Sequence, residues 1–237
     1  MLIASLTILA LAPATIAHSF PNCSPHNYTT HILSISPLVI YIPSFITPVE
    51  SAHLQAISKG KFSSSQIADD SGQQLLTNTR TSQSTSLESD DIVRCIEQRA
   101  LDFQGFDTKR ESLEPLQLVQ YAQNQEYHAH TDWFTSPAQT TSEFGGNRLS
   151  SFFVYVYASS DIMGGGTQFP LLDVPQNERW CDWLNCDAEL EDGVVFRPVQ
   201  GNAVFWRNLV EVTKGTYAGD RRTRKRVPCT NCMRDIH

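Results

Sequence analysis

The sequence predicts an α+β fold, with two helices near its start followed by many short strands that close into a sandwich or barrel. Two observations predict it. Capped segments opening at Thr47 and at Ser89 carry apolar residues at helical spacing. Later in the chain, short β-branched and aromatic runs follow one another with no internal repeat.

Residues 1–17 form an apolar run ending in small residues, with Ala17 and Thr15 placed as in a signal-peptidase site. The run is short for a bilayer and Pro13 interrupts it, so a cleaved secretory signal is expected rather than a membrane anchor. Residues 18–36 are polar and irregular and read as a loose leader. Leu38-Val-Ile-Tyr-Ile42 reads as a strand that Pro43 ends. Thr47, Pro48 and Glu50 make a capping box, opening a helix that runs through Leu54 and Ile57 and stops near Gly60. Residues 61–90 are rich in Ser, Thr, Gln and Asp, an exposed connection with short strands. Ser89-Asp-Asp91 caps a second helix on which Ile92, Val93, Ile96 and Ala100 recur at helical spacing. The strand candidates that follow are Leu116–Ala122, Leu149–Ala158, Gly193–Pro198 and Ala203–Trp206, and Phe152–Tyr157 reads as packing. From Lys214 the composition changes to a basic tail holding Arg221–Arg226, Cys229-Thr-Asn-Cys232 and a terminal His237.

Of the 237 residues 41% are hydrophobic and 18% charged, enough apolar surface for one large core and too little charge for a disordered chain. A formal net charge of −7 argues against nucleic acid as a partner, since neutralising phosphates needs a basic face. No segment after the first is apolar enough for a stable membrane span. Cys23, Cys95, Cys181, Cys186, Cys229 and Cys232 are an even set suited to an oxidising compartment, and Asn27-Tyr-Thr29 is a glycosylation acceptor pattern. Both point to the secretory pathway, ER lumen or exterior. Cys181 and Cys186 flank a short loop and are expected to form a structural disulfide rather than a metal site.

The chemistry concentrates at Tyr127-His-Ala-His-Thr-Asp132. In a strand, His130 and Asp132 would share a face with Cα atoms roughly 6–7 Å apart. An imidazole and a carboxylate so placed supply two-thirds of the 2-His-1-carboxylate set that leaves positions open on non-haem Fe(II). A surface hydrogen-bonding pair is the plain alternative for such a dipeptide spacing, as core packing is for Tyr121 and Tyr127 and turn chemistry for Thr167 and its glycines.

Five further segments join that pair in one order. Pro37–Glu50 precedes Arg80-Thr-Ser82, and Leu118-Val-Gln-Tyr121 leads into Tyr127, His130 and Asp132. Gly164-Gly-Gly-Thr-Gln-Phe-Pro170 and Gly201-Asn-Ala-Val-Phe-Trp206 then follow. Over residues 37 to 208 the chain resembles the 2-oxoglutarate- and Fe(II)-dependent dioxygenases of the prolyl 4-hydroxylase alpha-subunit-like family. The resemblance implies a double-stranded β-helix, or jelly roll, with N-terminal helices. It implies His130 and Asp132 as Fe(II) ligands, Tyr121, Tyr127 and Thr167 around 2-oxoglutarate, and Arg148 near the substrate groove. It also implies L-ascorbate as reductant and a proline-containing peptide or protein as substrate, and leaves any partner subunit unidentified.

The family carries a distal histidine after the Phe-Trp strand and then a Lys or Arg for the far carboxylate of 2-oxoglutarate. After Asp132 this chain has one histidine, His237. His128 lies in line with His130 and Asp132 over roughly 13 Å, whereas facial ligands converge at near 2 Å from one ion, so it serves only if the strand bulges. The sequence therefore predicts a truncated dioxygenase domain over 37–212, its C-terminal strands missing or replaced, and a non-family tail over 213–237. A splice or gene-model variant explains such a junction. The chain as written is expected to have little or no activity, and the alternative is a non-catalytic relative that binds a peptide or partner. Cys229 and Cys232 as half a zinc knuckle or a redox pair, and Arg221–Arg226 as a polyanion site, are read as by-products of the tail.

Overall fold

A computed structural model of the chain describes residues 23–69, 72–105, 108–141, 143, 145–212, 223–226 and 233–236. The expected signal segment 1–17, Cys229, Cys232 and His237 lie outside the described residues.

The fold has three layers. The middle layer is an antiparallel sheet in the order β1-β2-β12-β9, formed by β1 (His31–Ile35), β2 (Leu38–Ile42), β12 (Ala203–Arg207) and β9 (Ser150–Val154). Successive strand residues face opposite sides, and both sides of this sheet are covered. Leu38, Ile40, Ile42, Phe152, Ala203 and Phe205 pack toward helices α1 (Pro48–Ser58) and α2 (Asp91–Gln104), meeting Leu54, Val93 and Ile96. Val39, Tyr41, Phe153, Val204 and Trp206 pack the other way, against Phe169 and Phe196 of the next sheet. A strand covered twice has no polar alternation, which is why Leu38–Ile42 reads as an unbroken apolar run.

That next sheet has the order β11-β10-β15-β8, formed by β11 (Val194–Phe196), β10 (Gly166–Phe169), β15 (Met233–Ile236) and β8 (Glu126–His130). A third sheet joins β3 (Ser63–Ser64), β6 (Gln83–Ser86) and β7 (Gln117–Gln120). Hairpins β4 (Ile67–Ala68) with β5 (Gln74–Leu75), and β13 (Leu209–Val212) with β14 (Thr223–Arg226), complete the set. Helices on one side of facing antiparallel sheets are the α+β jelly-roll arrangement the sequence predicts.

The local signals hold. Thr47 and Glu50 exchange the two bonds of the capping box, Thr47 N to Glu50 Oε2 at 2.7 Å and Glu50 N to Thr47 Oγ1 at 3.1 Å. Asp90 accepts from Val93 N at 2.9 Å to cap α2. Arg99 of α2 then reaches Glu50 of α1 through both guanidinium arms, at 2.7 and 3.0 Å, and donates to Phe45 O at 2.8 Å. Cys181 and Cys186 form the expected disulfide, and Cys23 is bonded to Cys95 on α2.

Two expectations are corrected. The leader is not irregular throughout, because His31–Ile35 pairs with β2 as an edge strand and Cys23 is tied to α2. The run Leu149–Ala158 is strand only over Ser150–Val154, since its partner β12 turns away at Gly201 and leaves Tyr157 62% exposed rather than packed. In the second sheet, β15, from the region where C-terminal strands were expected to be missing or replaced, fills the place between β8 and β10.

Candidate functional site

Strand β8 and strand β9 are the corresponding edges of the two facing sheets, and the candidate site lies where they meet. The strand carrying His130 ends at that residue, so Asp132 stands in the bend beyond it rather than at the next position of the same face. The two still converge. His130 Nε2 lies 3.4 Å from Asp132 Oδ1, with both side chains mostly covered.

Each group's other atom is already committed. His130 Nδ1 lies 2.8 Å from the His128 carbonyl oxygen, which can only accept, so Nδ1 carries a proton. Asp132 Oδ2 accepts from Ser151 Oγ at 2.5 Å, and its main-chain oxygen accepts from Arg148 Nη1 at 3.3 Å. In the neutral imidazole, Nε2 and Oδ1 therefore present lone pairs to each other, an arrangement that a shared cation or a second ring proton relieves. Burial pushes the Asp132 carboxyl up, but the His130 ring when its Nε2 carries a proton, the Ser151 hydroxyl and Arg148 outweigh it and hold the group below its usual range. It is a carboxylate at neutral pH.

A bulge builds the wall behind the histidine. Along β15, Met233 faces His130 and Asp235 faces Tyr127, so two steps there span three along β8. The additional residue brings Tyr127 and His130, three apart, onto one side. Their rings stack at 3.6 Å and 18°, and the Arg80 guanidinium lies over the same tyrosine at 4.8 Å. The same bulge does not turn His128 toward Asp132, because its Nε2 meets Glu126 Oε1 at 3.1 Å.

The remaining predicted residues surround this pair unequally. Thr167 is buried on β10, and its rung continues through Asp235 to Tyr127, two strands or about 10 Å away. Of the glycines before it, Gly166 lies in a close approach to β11. A Cβ on Gly166 would sit 2.8 Å from Val195 Cγ1 and 2.9 Å from Phe196 O. Tyr121 is half-buried directly after β7, in the third sheet. Arg148 grips Glu114 with two nitrogens at 2.6 and 2.8 Å and lies over Phe134 at 4.7 Å. In this geometry its guanidinium supports the Asp132 turn.

Sequence reasoning missed the residues that hold that turn. Asn147 takes Phe134 N at 2.9 Å and gives to Phe134 O at 3.0 Å, a two-way clamp just past Asp132. Ser151 receives Asn208 Nδ2 at 3.0 Å while donating to Asp132. One signal was available: Ser151 alternates with Phe153 and Tyr155, so it is a hydroxyl facing the interior, where it needs a partner.

Cis donors on an octahedral ion bound at about 2.1 Å lie about 3.0 Å apart, close to the 3.4 Å seen here. The pair thus fits a divalent ion at two positions. Among the described residues, no group of three His, Cys, Asp or Glu side chains could hold a metal.

A profile of the 2OG-Fe(II) oxygenase superfamily matches residues 116–227, running from β7 across the site and past Val212 through β14. Probable prolyl 4-hydroxylase 6 of Arabidopsis thaliana is 30% identical over 210 residues, covering 86% of this chain and 69% of that relative. The chain belongs to the prolyl 4-hydroxylase-like family of 2-oxoglutarate/Fe(II) oxygenases. Probable prolyl 4-hydroxylase 7 of the same plant is 31% identical over 181 residues, 75% of this chain. The chain covers 54% of the length of that relative. The fold is shared with the viral collagen prolyl hydroxylase of Paramecium bursaria Chlorella virus-1, solved as its 2OG complex. That match has a TM-score of 0.52 at 18% identity and covers 84% of this chain and 87% of the other.

Proposed function

We propose that this chain is an Fe(II)- and 2-oxoglutarate-dependent dioxygenase of the prolyl 4-hydroxylase type, hydroxylating peptidyl proline or a related residue. The observation that carries the proposal is the pair of facing donors, His130 Nε2 and Asp132 Oδ1, each with its other polar atom already occupied. The Nδ1–H bond to His128 O fixes the tautomer that leaves Nε2 free to ligate. Tyr127 restrains the ring by stacking, and the depressed pKa keeps Asp132 anionic. When bound, Fe(II) with 2-oxoglutarate and oxygen supplies the oxidising power for C–H hydroxylation, and L-ascorbate keeps the iron reduced. Tyr121, Tyr127 and Thr167 are assigned to the 2-oxoglutarate side of the site, with Arg148 at its rim.

The purified 237-residue chain is proposed to turn over slowly, because the described residues supply two protein ligands, which hold iron less firmly and less uniquely than three. The same observation favours a second reading, a relative that binds a proline-containing peptide or a partner without hydroxylating it. Residence in the secretory pathway is part of the proposal, supported by the Cys23–Cys95 and Cys181–Cys186 disulfides and the apolar run 1–17. Incubation with Fe(II), 2-oxoglutarate, ascorbate and a proline-rich peptide, read by succinate and by peptide mass, tests it. Slow hydroxylation lost in His130→Ala is expected. Peptide binding with no succinate selects the second reading. Turnover that survives His130→Ala contradicts the assigned site.

A further inference from the structure

The Asp132 carboxylate is held from outside the metal-facing pair by a chain that crosses between the two sheets. Ser151 opens β9 on the edge of the middle sheet, and its hydroxyl donates to Asp132 Oδ2 at 2.5 Å. Asn208, fully buried just beyond β12, donates to the same hydroxyl oxygen through Nδ2 at 3.0 Å. Its backbone is fixed in turn by a bond from Asn208 N to Leu149 O at 2.9 Å. A serine oxygen that accepts from an amide must direct its single proton elsewhere. The direction left is Asp132.

We infer that Ser151, oriented by Asn208, is the positioning residue that makes Asp132 a one-oxygen ligand. The inference rests on the metal-site reading above. A free carboxylate offers a cation either oxygen or both. With Oδ2 committed to Ser151, Oδ1 alone faces His130 Nε2. With two protein ligands among the described residues, that restriction matters more than it would with three. The Asn147 clamp on Phe134 and the Arg148 bond to Asp132 O hold the backbone, while Ser151 holds the carboxylate itself.

Spectroscopic titration of the purified full-length chain with Co(II), as a stand-in for Fe(II), tests this. Removal of a hydrogen-bond partner of a metal ligand costs about 10–100-fold in affinity. Ser151→Ala is therefore expected to weaken Co(II) binding by that factor and to change the visible Co(II) bands as both carboxylate oxygens become available. Ser151→Thr, which keeps the hydroxyl, is expected to restore both. Asn208→Ala is expected to weaken binding less than Ser151→Ala, and the double variant to lose no more than Ser151→Ala alone. Melting of the metal-free proteins separates folding defects from these effects. Co(II) binding and bands unchanged in Ser151→Ala overturn the inference and leave the metal site standing. Losses that add in the double variant overturn the Asn208 relay. No Co(II) binding by the unmodified chain overturns the metal-site reading, and the inference with it.

Discussion

The helix-backed half of the molecule and the edge that carries His130 and Asp132 are built by different means. Behind the middle sheet, Leu54, Val93, Ile96, Phe45 and Phe205 interlock, with Phe152 and Phe103 edge-on beside them. Order there comes from apolar surface removed from water, at about 25 cal/mol per Å². At the site edge the strand β8 is half-buried or exposed, and order comes from polar bonds. Ser151 holds a carboxylate, Asn147 a peptide, Arg148 a carbonyl, and the His128 carbonyl a ring nitrogen. Apolar packing tolerates variation in direction but creates stability, whereas hydrogen bonds give little net stability and fix direction closely. A scaffold followed by a site is the division these two regions show.

The contrast extends to the second apolar core, between the two sheets, and breaks first if a residue of that core is removed. Phe196 is fully buried, stacked on Tyr41 at 5.5 Å and edge-on to Phe169 at 5.7 Å. Phe196→Ala is expected to cost about 3–5 kcal/mol in denaturant unfolding. A loss below about 1 kcal/mol would show that this core does not carry the stability assigned to it.

The next effect belongs to Arg99–Glu50, the most buried ion pair among the described residues. Burial alone would raise the Glu50 carboxyl, but Arg99 and Thr47 hold it below its ordinary value of 4.5. A depressed carboxyl stabilises the fold above its unfolded pKa, and that contribution disappears as pH falls through the lower folded value. Glu50→Gln strands the Arg99 charge and is expected to cost about 3 kcal/mol at pH 7. The gap between variant and parent should narrow on acidification below pH 4.5. A gap that stays constant with pH would remove the ion pair from the account.

The smallest stability effect is expected at the site. His130→Ala removes a ring stacked on Tyr127 at a partly open edge. It should move the unfolding free energy by no more than about 0.5 kcal/mol while abolishing metal binding. A destabilisation as large as that of Phe196→Ala would make His130 a packing residue and erase the distinction between the two regions.

Much of the scaffold was legible in the sequence because its signals are local. Thr47 and Glu50 are three residues apart, the run Leu38–Ile42 is contiguous, and Gly201 sits at a turn where an added atom meets backbone. A Cβ on Gly201, whose φ is +85°, would lie 2.9 Å from Ile46 O. The pair His130 and Asp132 was legible for the same reason, although its shared-face argument required a strand that in fact ends at His130. What could not be read depends on which strands become neighbours. Edge strand β1 carries an exposed Ile32 and Ile35 and so lacks the alternation that marks a half-buried strand. The bulge of β8 exists only relative to β15. Glu114 meets Arg148 across 34 positions and Asn208 meets Ser151 across 57, and no spacing rule connects residues so far apart.

Anaerobic titration of the 237-residue chain with Fe(II) and then 2-oxoglutarate addresses the central claim most directly. A keto acid chelated to ferrous iron gives a visible charge-transfer absorption, and the protein must hold the iron for the band to report on this site. The account predicts that the band forms with the unmodified chain and is lost in both His130→Ala and Asp132→Asn, each still folded. No band with the folded parent chain, or a band unchanged in both variants, would contradict it.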